Sequence, residues 1–275
     1  MKNYVGYRHL AVSYVWNAIT EKAYFVWCLL VVYLGFFSFG IIGLILWLTI
    51  FQVVRLFSKN KNESQTRVRN IISFSFRIIL KLLDILGILK IEVDSLEELH
   101  NLKGSIIISN HPCLLDVVAI MAMLGNCQCI VKNKLWFHPL LGGIMRSAGF
   151  IQNNLDPEKL LQECKKQLAC GQNIVVFPEG TRSKVNQPLK LQRGVGNLAL
   201  FAMVNIQTLI IDCSPLMLTK QNKWHEMPMQ KITLRLSKGK LFLSEDYSGI
   251  IIRSLMVRKL MRDIQEYYNK KLGYE

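Results

Sequence analysis

Between Lys22 and Arg55 the chain runs for 32 residues without a single Asp, Glu, Lys or Arg. A straight helix of that length would measure about 48 Å, against a bilayer hydrocarbon core of about 30 Å. Two arrangements satisfy this constraint: one long tilted helix with frayed ends, or two shorter helices that turn near Gly35 to Gly43 without crossing. A cleaved signal peptide does not, because its apolar region is only about 7–15 residues long. Residues 1–55 are therefore read as a membrane segment, 56–91 as a basic helical connector and 92–275 as a larger domain. After the apolar run, Arg55, Lys59, Lys61, Arg67 and Arg69 stand against Glu63 alone. The positive-inside rule then places the larger domain on the cytoplasmic side of the inner membrane.

From Arg69 to Asp84 the polar positions Arg69, Ser73, Arg77, Lys81 and Asp84 recur at helical spacing, with almost only Ile, Leu and Phe between them. That pattern predicts a helix with a narrow basic stripe and a wide apolar face. Two roles are open to it: packing against the larger domain, or lying in the membrane interface with its basic groups among anionic headgroups. Over the whole chain 34 basic residues face 19 acidic ones, a net charge of +15. Membrane lipids account for that excess as partners, and no nucleic-acid-binding motif appears. Seven cysteines, without a C-x-x-C pair, read as free thiols rather than a disulfide framework or a zinc site.

Beyond residue 92, short β-branched runs alternate with helical stretches, as an α/β domain requires. Strands are expected at Ser105 to Ser109, Cys129 to Lys132, Asn173 to Phe177 and Thr208 to Ile211. The alternating run Lys231 to Ser237 reads as a half-exposed or edge strand. Helices are expected at Leu114 to Leu124, from an Asp156 cap with Pro157 at the first position to Gly171, at Gly194 to Val204, and at Ile250 to Leu272.

Two strand ends carry chemistry. Ser109-Asn110-His111-Pro112-Cys113-Leu114-Leu115-Asp116 sets a histidine past a buried strand and an aspartate about one turn into the next helix. A carboxylate on one ring nitrogen fixes the tautomer and leaves the other nitrogen to take a proton from a hydroxyl. The spacing alone also fits a histidine that merely caps a turn. About 68 residues on, Phe177-Pro178-Glu179-Gly180-Thr181-Arg182-Ser183 follows a second buried strand. There Glu179 and Thr181 offer polar contacts, Gly180 shapes a tight turn, and Arg182 offers a fork suited to phosphate.

Together these segments resemble the two signature blocks of the lysophospholipid (1-acylglycerol-3-phosphate) acyltransferase family, N-H-x4-D and F-P-E-G-T-R-S. The resemblance covers roughly residues 90 to 220, and implies an open mixed α/β sheet flanked by helices with an N-terminal apolar membrane-associated segment. Lys190 to Gly194 and Ile210 to Pro215 are similar to further family stretches. The run Ser214 to Pro228 resembles a bacterial subgroup tied to polyene or fatty-acid biosynthetic clusters. One departure stands out: the family's block between the signatures ends in an arginine after a glycine, whereas here Gly149 to Asn154 holds none and Arg146 precedes the glycine. Arg182, Arg193 or Lys132 would then supply the charge for a phosphate.

What the resemblance implies is direct acyl transfer to a lipid hydroxyl, such as that of 1-acylglycerol-3-phosphate, with acyl-CoA or acyl-carrier protein as co-substrate and no resident cofactor or metal. His111 is the base and Asp116 its partner, Glu179, Gly180, Thr181 and Arg182 bind substrate, and backbone N–H groups near Gly180 face the developing oxyanion. No G-x-S-x-G elbow occurs, which disfavours a serine acyl-enzyme. Transfer to a lipid acceptor other than a glycerophosphate, or a metal-dependent phosphohydrolase using His111, Asp116 and Glu179, are the alternatives.

Overall fold

The uncharged run folds into one continuous helix, α1 (Asn3–Leu48), which breaks only at Thr49, where φ and ψ are −114° and −80°. The chain continues as α2 (Ile50–Leu56) and α3 (Lys61–Ile85). The computed structural model describes residues 3–274 apart from 96, 154, 155, 222–225, 227, 229 and 248–251. No turn forms between Gly35 and Gly43; residues 19–56 are long and apolar enough to cross a membrane. The start of α3 is fixed reciprocally: the Asn60 side chain accepts from Glu63 N–H at 2.9 Å, and the Glu63 carboxylate accepts from Lys59 N–H at 2.8 Å. This satisfies donors that the first helical turn leaves without partners.

Next come β1 (Leu89–Asp94), β2 (Ile106–Ser109), α4 (Asp116–Leu124), β3 (Cys127–Lys132), α5 (Asn133–Trp136), α6 (Gly142–Ala148) and β4 (Ile151–Asn153). The remainder is α7 (Pro157–Ala169), β5 (Asn173–Val176), α8 (Gly194–Ala202), β6 (Ile206–Ser214), β7 (Ile232–Phe242) and α9 (Arg253–Lys271). Seven strands form one mixed sheet in the order β1-β7-β6-β2-β5-β3-β4. All neighbours are parallel except β6 and β7, so β1 and β7 run against the other five. The open mixed α/β sheet expected from the sequence is the fold found.

Four local expectations are sharpened or corrected. β7 is the half-exposed strand its alternation allowed and not an edge, because β1 pairs along its outer side from Leu89↔Ile232 to Asp94↔Ser237. Asp116 is the first residue of its helix rather than one turn inside it. Asp156 precedes α7 but makes no capping bond with its side chain. The helix expected from Ile250 begins, among the described residues, at Arg253.

The short central strands are buried on both faces, and alternate residues point to opposite sides. Ile107, Val175 and Ile211 join a core with α1 to α4, whereas Ile106, Ile108, Ile174 and Ile206 join another with α7, α8 and α9. On the first side α1 approaches α6 so closely that a Cβ on Gly143 would lie 2.1 Å from the Trp47 indole. α3 packs against the larger domain on one side only. Val68, Ile72 and Leu80 are buried, while Phe74, Ile78, Leu82 and Ile85 remain exposed on its other side.

Arg69 does not belong to an outward basic stripe. Its guanidinium is 2% exposed and donates to Asn126 Oδ1 at 2.6 Å, Ala148 O at 2.8 Å, Gln172 Oε1 at 3.0 Å and Thr66 Oγ1 at 3.1 Å. Burial lowers its pKa, and neutral acceptors from three separate connections hold the charge in place. Arg69 thereby ties α3 to the ends of α4, α6 and α7. Replacing it with the similarly long Met leaves these acceptors unmatched, and chemical unfolding should show a loss of about 3 kcal/mol. A change below about 0.5 kcal/mol, the scale of an ordinary surface substitution, would contradict this role.

Candidate active site

The strand order reverses around β2: the chain leaves it through α4 to β3 on one side and returns through β5 and α8 to β6 on the other. In open α/β sheets the crevice beyond the strand ends at such a reversal is where ligands bind. β2 and β5 are parallel neighbours, so the segments that follow them emerge side by side. This pairing unites two motifs separated by 68 residues.

Asn110 anchors the first. Its buried amide donates to Ile211 O at 2.7 Å and accepts from Ile211 N–H at 2.8 Å, gripping β6. His111 then turns its Nδ1 to Asp116 Oδ2 at 2.9 Å and stacks on Phe177, with ring centroids 4.2 Å apart. Asp116 is fully buried at the N-terminus of α4 and also accepts from Cys113 N–H at 2.8 Å and the Cys113 thiol at 2.9 Å. A helix N-terminus favours negative charge. With the carboxylate accepting at Nδ1, the neutral ring carries its proton there and presents Nε2 as the acceptor. Burial, a bond to Cys213 and the Asp116 charge push the Cys113 thiol well up; among these the Cys213 bond is the largest cause. Cys113 therefore serves as a donor to Asp116 rather than as a thiolate nucleophile.

Glu179 Oε1 accepts from His111 N–H at 3.2 Å and from Ser183 Oγ–H at 2.6 Å. Ser183 N–H donates back to His111 O at 2.7 Å. Glu179 thus braces the histidine backbone instead of only lining a substrate site. Gly180 takes the left-handed φ of +68°, and its N–H donates to Phe177 O at 3.0 Å, so that N–H is committed to the turn. Among the described residues the N–H groups of Thr181 and Arg182 have no acceptor within the chain. The side chain of Thr181 is partly exposed beside them.

Arg182 commits one nitrogen of its guanidinium to the chain. Its Nη1 donates to Leu218 O at 2.6 Å and Thr219 O at 3.0 Å, fastening the loop after β6. Lys132 ends β3 and is exposed, with β5 between its strand and β2. Arg193 precedes α8, and the N–H of its neighbour Gln192 donates to Pro178 O at 2.7 Å, which places it behind the glutamate turn. Arg146, the arginine nearest the expected acceptor block, donates to Trp136 O at 2.7 Å. A cavity of about 320 Å³ opens beside the histidine, bordered by Asn110, Pro112, Ser183, Lys184 and Ser214.

Sequence reasoning passed over the roles of Asn110, Ser183 and Tyr268. Tyr268, wholly buried on α9, donates from its hydroxyl to Ile108 O and Leu209 O at 2.9 Å each, supporting β2 from below the site. The helical period marked Tyr268 as core-facing, but its contact lies 160 residues away in sequence. Of the run Ser214 to Pro228, residues 222–225 and 227 lie outside the described residues.

Residues 90–212 match the family model described as Acyltransferase. Over 114 residues the chain is 30% identical to the 1-acyl-sn-glycerol-3-phosphate acyltransferase of Helicobacter pylori, covering 39% of this chain and 48% of that one. A chloroplastic 1-acyl-sn-glycerol-3-phosphate acyltransferase of Arabidopsis thaliana is 28% identical over 115 residues, 40% and 32% of the two chains. The Homo sapiens beta enzyme of the same description is 29% identical over 126 residues, 43% and 45%. The matches span about a third to a half of these relatives. The crystal structure of PlsC, a 1-acyl-sn-glycerophosphate acyltransferase from Thermotoga maritima, superposes with a TM-score of 0.59 at 16% identity, covering 90% of this chain and 96% of that one.

Burial raises the Glu179 pKa above its ordinary value near 4.5. A carboxyl with a raised folded-state pKa contributes stability below its unfolded value and loses that contribution as pH rises toward the folded value. The Tm of Glu179→Gln relative to wild type should therefore move in the variant's favour as pH increases from about 4.5, then level off. A difference that is flat, or that moves the other way, would show that the carboxyl is not held against its charge.

Proposed function

We propose that this chain, whose residues 90–212 match the Acyltransferase family model, is an acyltransferase that moves a fatty acyl group from a thioester to the hydroxyl of a lysophospholipid such as 1-acylglycerol-3-phosphate. The observation that carries this reading is the buried Asp116 carboxylate on His111 Nδ1, at the end of a strand whose neighbour brings in Glu179.

In this reaction His111 Nε2 takes the proton as the acceptor oxygen attacks the thioester carbon. The carbon–sulfur bond breaks, and the imidazolium returns its proton to the departing thiolate. Asp116 holds the ring and stabilises its transient positive charge. Negative charge gathers meanwhile on the carbonyl oxygen. Thr181 and Arg182 replace Gly180 as the backbone donors assigned to it, since the Gly180 N–H is already engaged. No group in this scheme forms a covalent acyl intermediate.

The same reading places α1 to α3 in a membrane. Phe37 and Leu56 are 70% and 80% exposed, and Phe74 and Ile85 extend this apolar surface along α3. Burying each such side chain in hydrocarbon is worth about 1.5–3 kcal/mol. The basic flank after residue 55 orients the catalytic side toward the cytoplasm of the inner membrane. Acyl-CoA and acyl-carrier protein are the proposed donors, with no resident cofactor.

The purified full chain, incubated with a palmitoyl thioester and lysophosphatidic acid, should yield phosphatidic acid by mass spectrometry. His111→Ala should lower kcat by about 10²–10⁴-fold while preserving the fold, with Asp116→Asn losing somewhat less. Release of inorganic phosphate without acylated lipid would replace this reading with phosphohydrolysis. Near-normal turnover by His111→Ala would remove the histidine from the chemistry.

A further inference from the structure

On the sheet face opposite α1 to α3, the segment between the glutamate turn and α8 is pinned along α9. Leu189 N–H donates to Asn269 Oδ1 at 3.0 Å and Leu191 N–H to Gln265 Oε1 at 3.2 Å, after which Gln192 N–H reaches Pro178 O at 2.7 Å. The chain is thereby delivered so that Arg193 meets Arg258 and Arg262 around a cavity of about 330 Å³. Leu191 and Met261 supply its apolar lining. Arg258 and Arg262 stand one turn apart on α9, and all three arginines are exposed. The nearest carboxylates to Arg262, on Asp263 and Glu266, are 3.8 Å away, beyond hydrogen-bond range. Along the same face Lys165 and Arg253 lie over the Phe201 ring, at 5.0 and 5.4 Å. Like charges repel when gathered this closely, and a complementary negative surface relieves that cost.

We infer that this surface docks an acidic carrier protein that presents the acyl thioester on a flexible phosphopantetheine arm. The inference rests on the proposed acyl transfer and names the partner that delivers the donor. Charge complementarity identifies an anionic occupant, and two observations choose the protein. The exposed apolar side chains of α1 to α3 lie across the sheet, so a membrane engaged by them is on the other side from the arginines. No aromatic side chain lines the cavity to stack on a nucleotide base, whereas a mixed basic and aliphatic patch suits the acidic face of a helix. Location supplies the functional link. Gln192 N–H bonds Pro178 O, next in sequence to the Glu179 that holds His111, so the patch borders the segment that carries the glutamate turn.

The test uses the full chain in detergent and the double variant Arg258→Glu/Arg262→Glu, with purified acyl-carrier protein as the probe. Unloaded carrier should bind the wild type with an affinity that falls as salt rises, and the variant should lose that binding. The KM for palmitoyl-loaded carrier should rise by about tenfold or more in the variant. Turnover with a palmitoyl-pantetheine thioester should stay unchanged, which shows that the fold and base are intact. Equal carrier binding and KM in the two proteins would overturn the inference. So would a variant defect confined to palmitoyl-CoA, which would mark a nucleotide-phosphate site, or one confined to phosphatidylglycerol vesicles, which would mark a lipid site. Salt-sensitive carrier binding that depends on the arginines, in a protein that transfers no acyl group from any thioester, would sink the proposed reaction while leaving the docking surface standing.

Discussion

Everything at the site depends on the cross-brace between two parallel strand ends. His111 N–H donates to Glu179, Ser183 N–H donates to His111 O, and the Ser183 hydroxyl closes the ring onto the same Glu179 oxygen. These bonds fix the backbone of the histidine rather than its ring. Asp116 and Phe177 then set the ring itself, one through Nδ1 and the other by stacking. A histidine held at both levels is positioned before substrate arrives, and for the proposed base preorganisation of this kind is where most of the advantage originates. A buried carboxylate such as Glu179 costs free energy unless its oxygens are matched. Donors that also do the positioning offset part of that cost, and the remainder is what raises the Glu179 pKa.

The sheet makes the brace possible and also divides the molecule's partners. One face carries the apolar helices that the proposed membrane would take up, and the other carries the arginine-lined surface of α8 and α9. Between them lies the crevice beyond β2 and β5, where the proposed reaction would bring a lipid hydroxyl and a thioester together. Arg69 and Tyr268 serve this arrangement from opposite sides of the sheet. The first ties the connector helix to three turns, and the second props β2 from beneath through two backbone carbonyls.

Much of this was legible in the sequence where the constraint was local. The buried strands announced themselves as short β-branched runs, because a strand covered on both faces has no polar side to show. The two blocks after β2 and β5 were readable as strand-end chemistry. What could not be read depended on partners far along the chain. Arg69 shares its helical spacing with the exposed Arg77 and Lys81, and only acceptors 57 to 103 residues away reveal it as a buried clamp. β7 looked like an edge because its alternation says nothing of β1, whose own Lys-Glu pattern is that of a half-solvated strand. Arg182 followed the motif into the expected loop, yet its guanidinium turned to carbonyls at 218 and 219 that no local rule would pair with it. The glycines at 35 to 43 suggested a turn, but the helix runs through them.

The central claim is that His111 activates the acceptor for direct transfer, with no acyl group resting on the protein. Intact-protein mass spectrometry of the full chain, mixed with excess palmitoyl thioester and quenched before and after addition of lysophosphatidic acid, addresses that claim most directly. Direct transfer leaves an unmodified protein mass at every time point, with phosphatidic acid forming only once the acceptor is present. A palmitoylated enzyme that accumulates without acceptor and disappears at the catalytic rate when lysophosphatidic acid is added would contradict it.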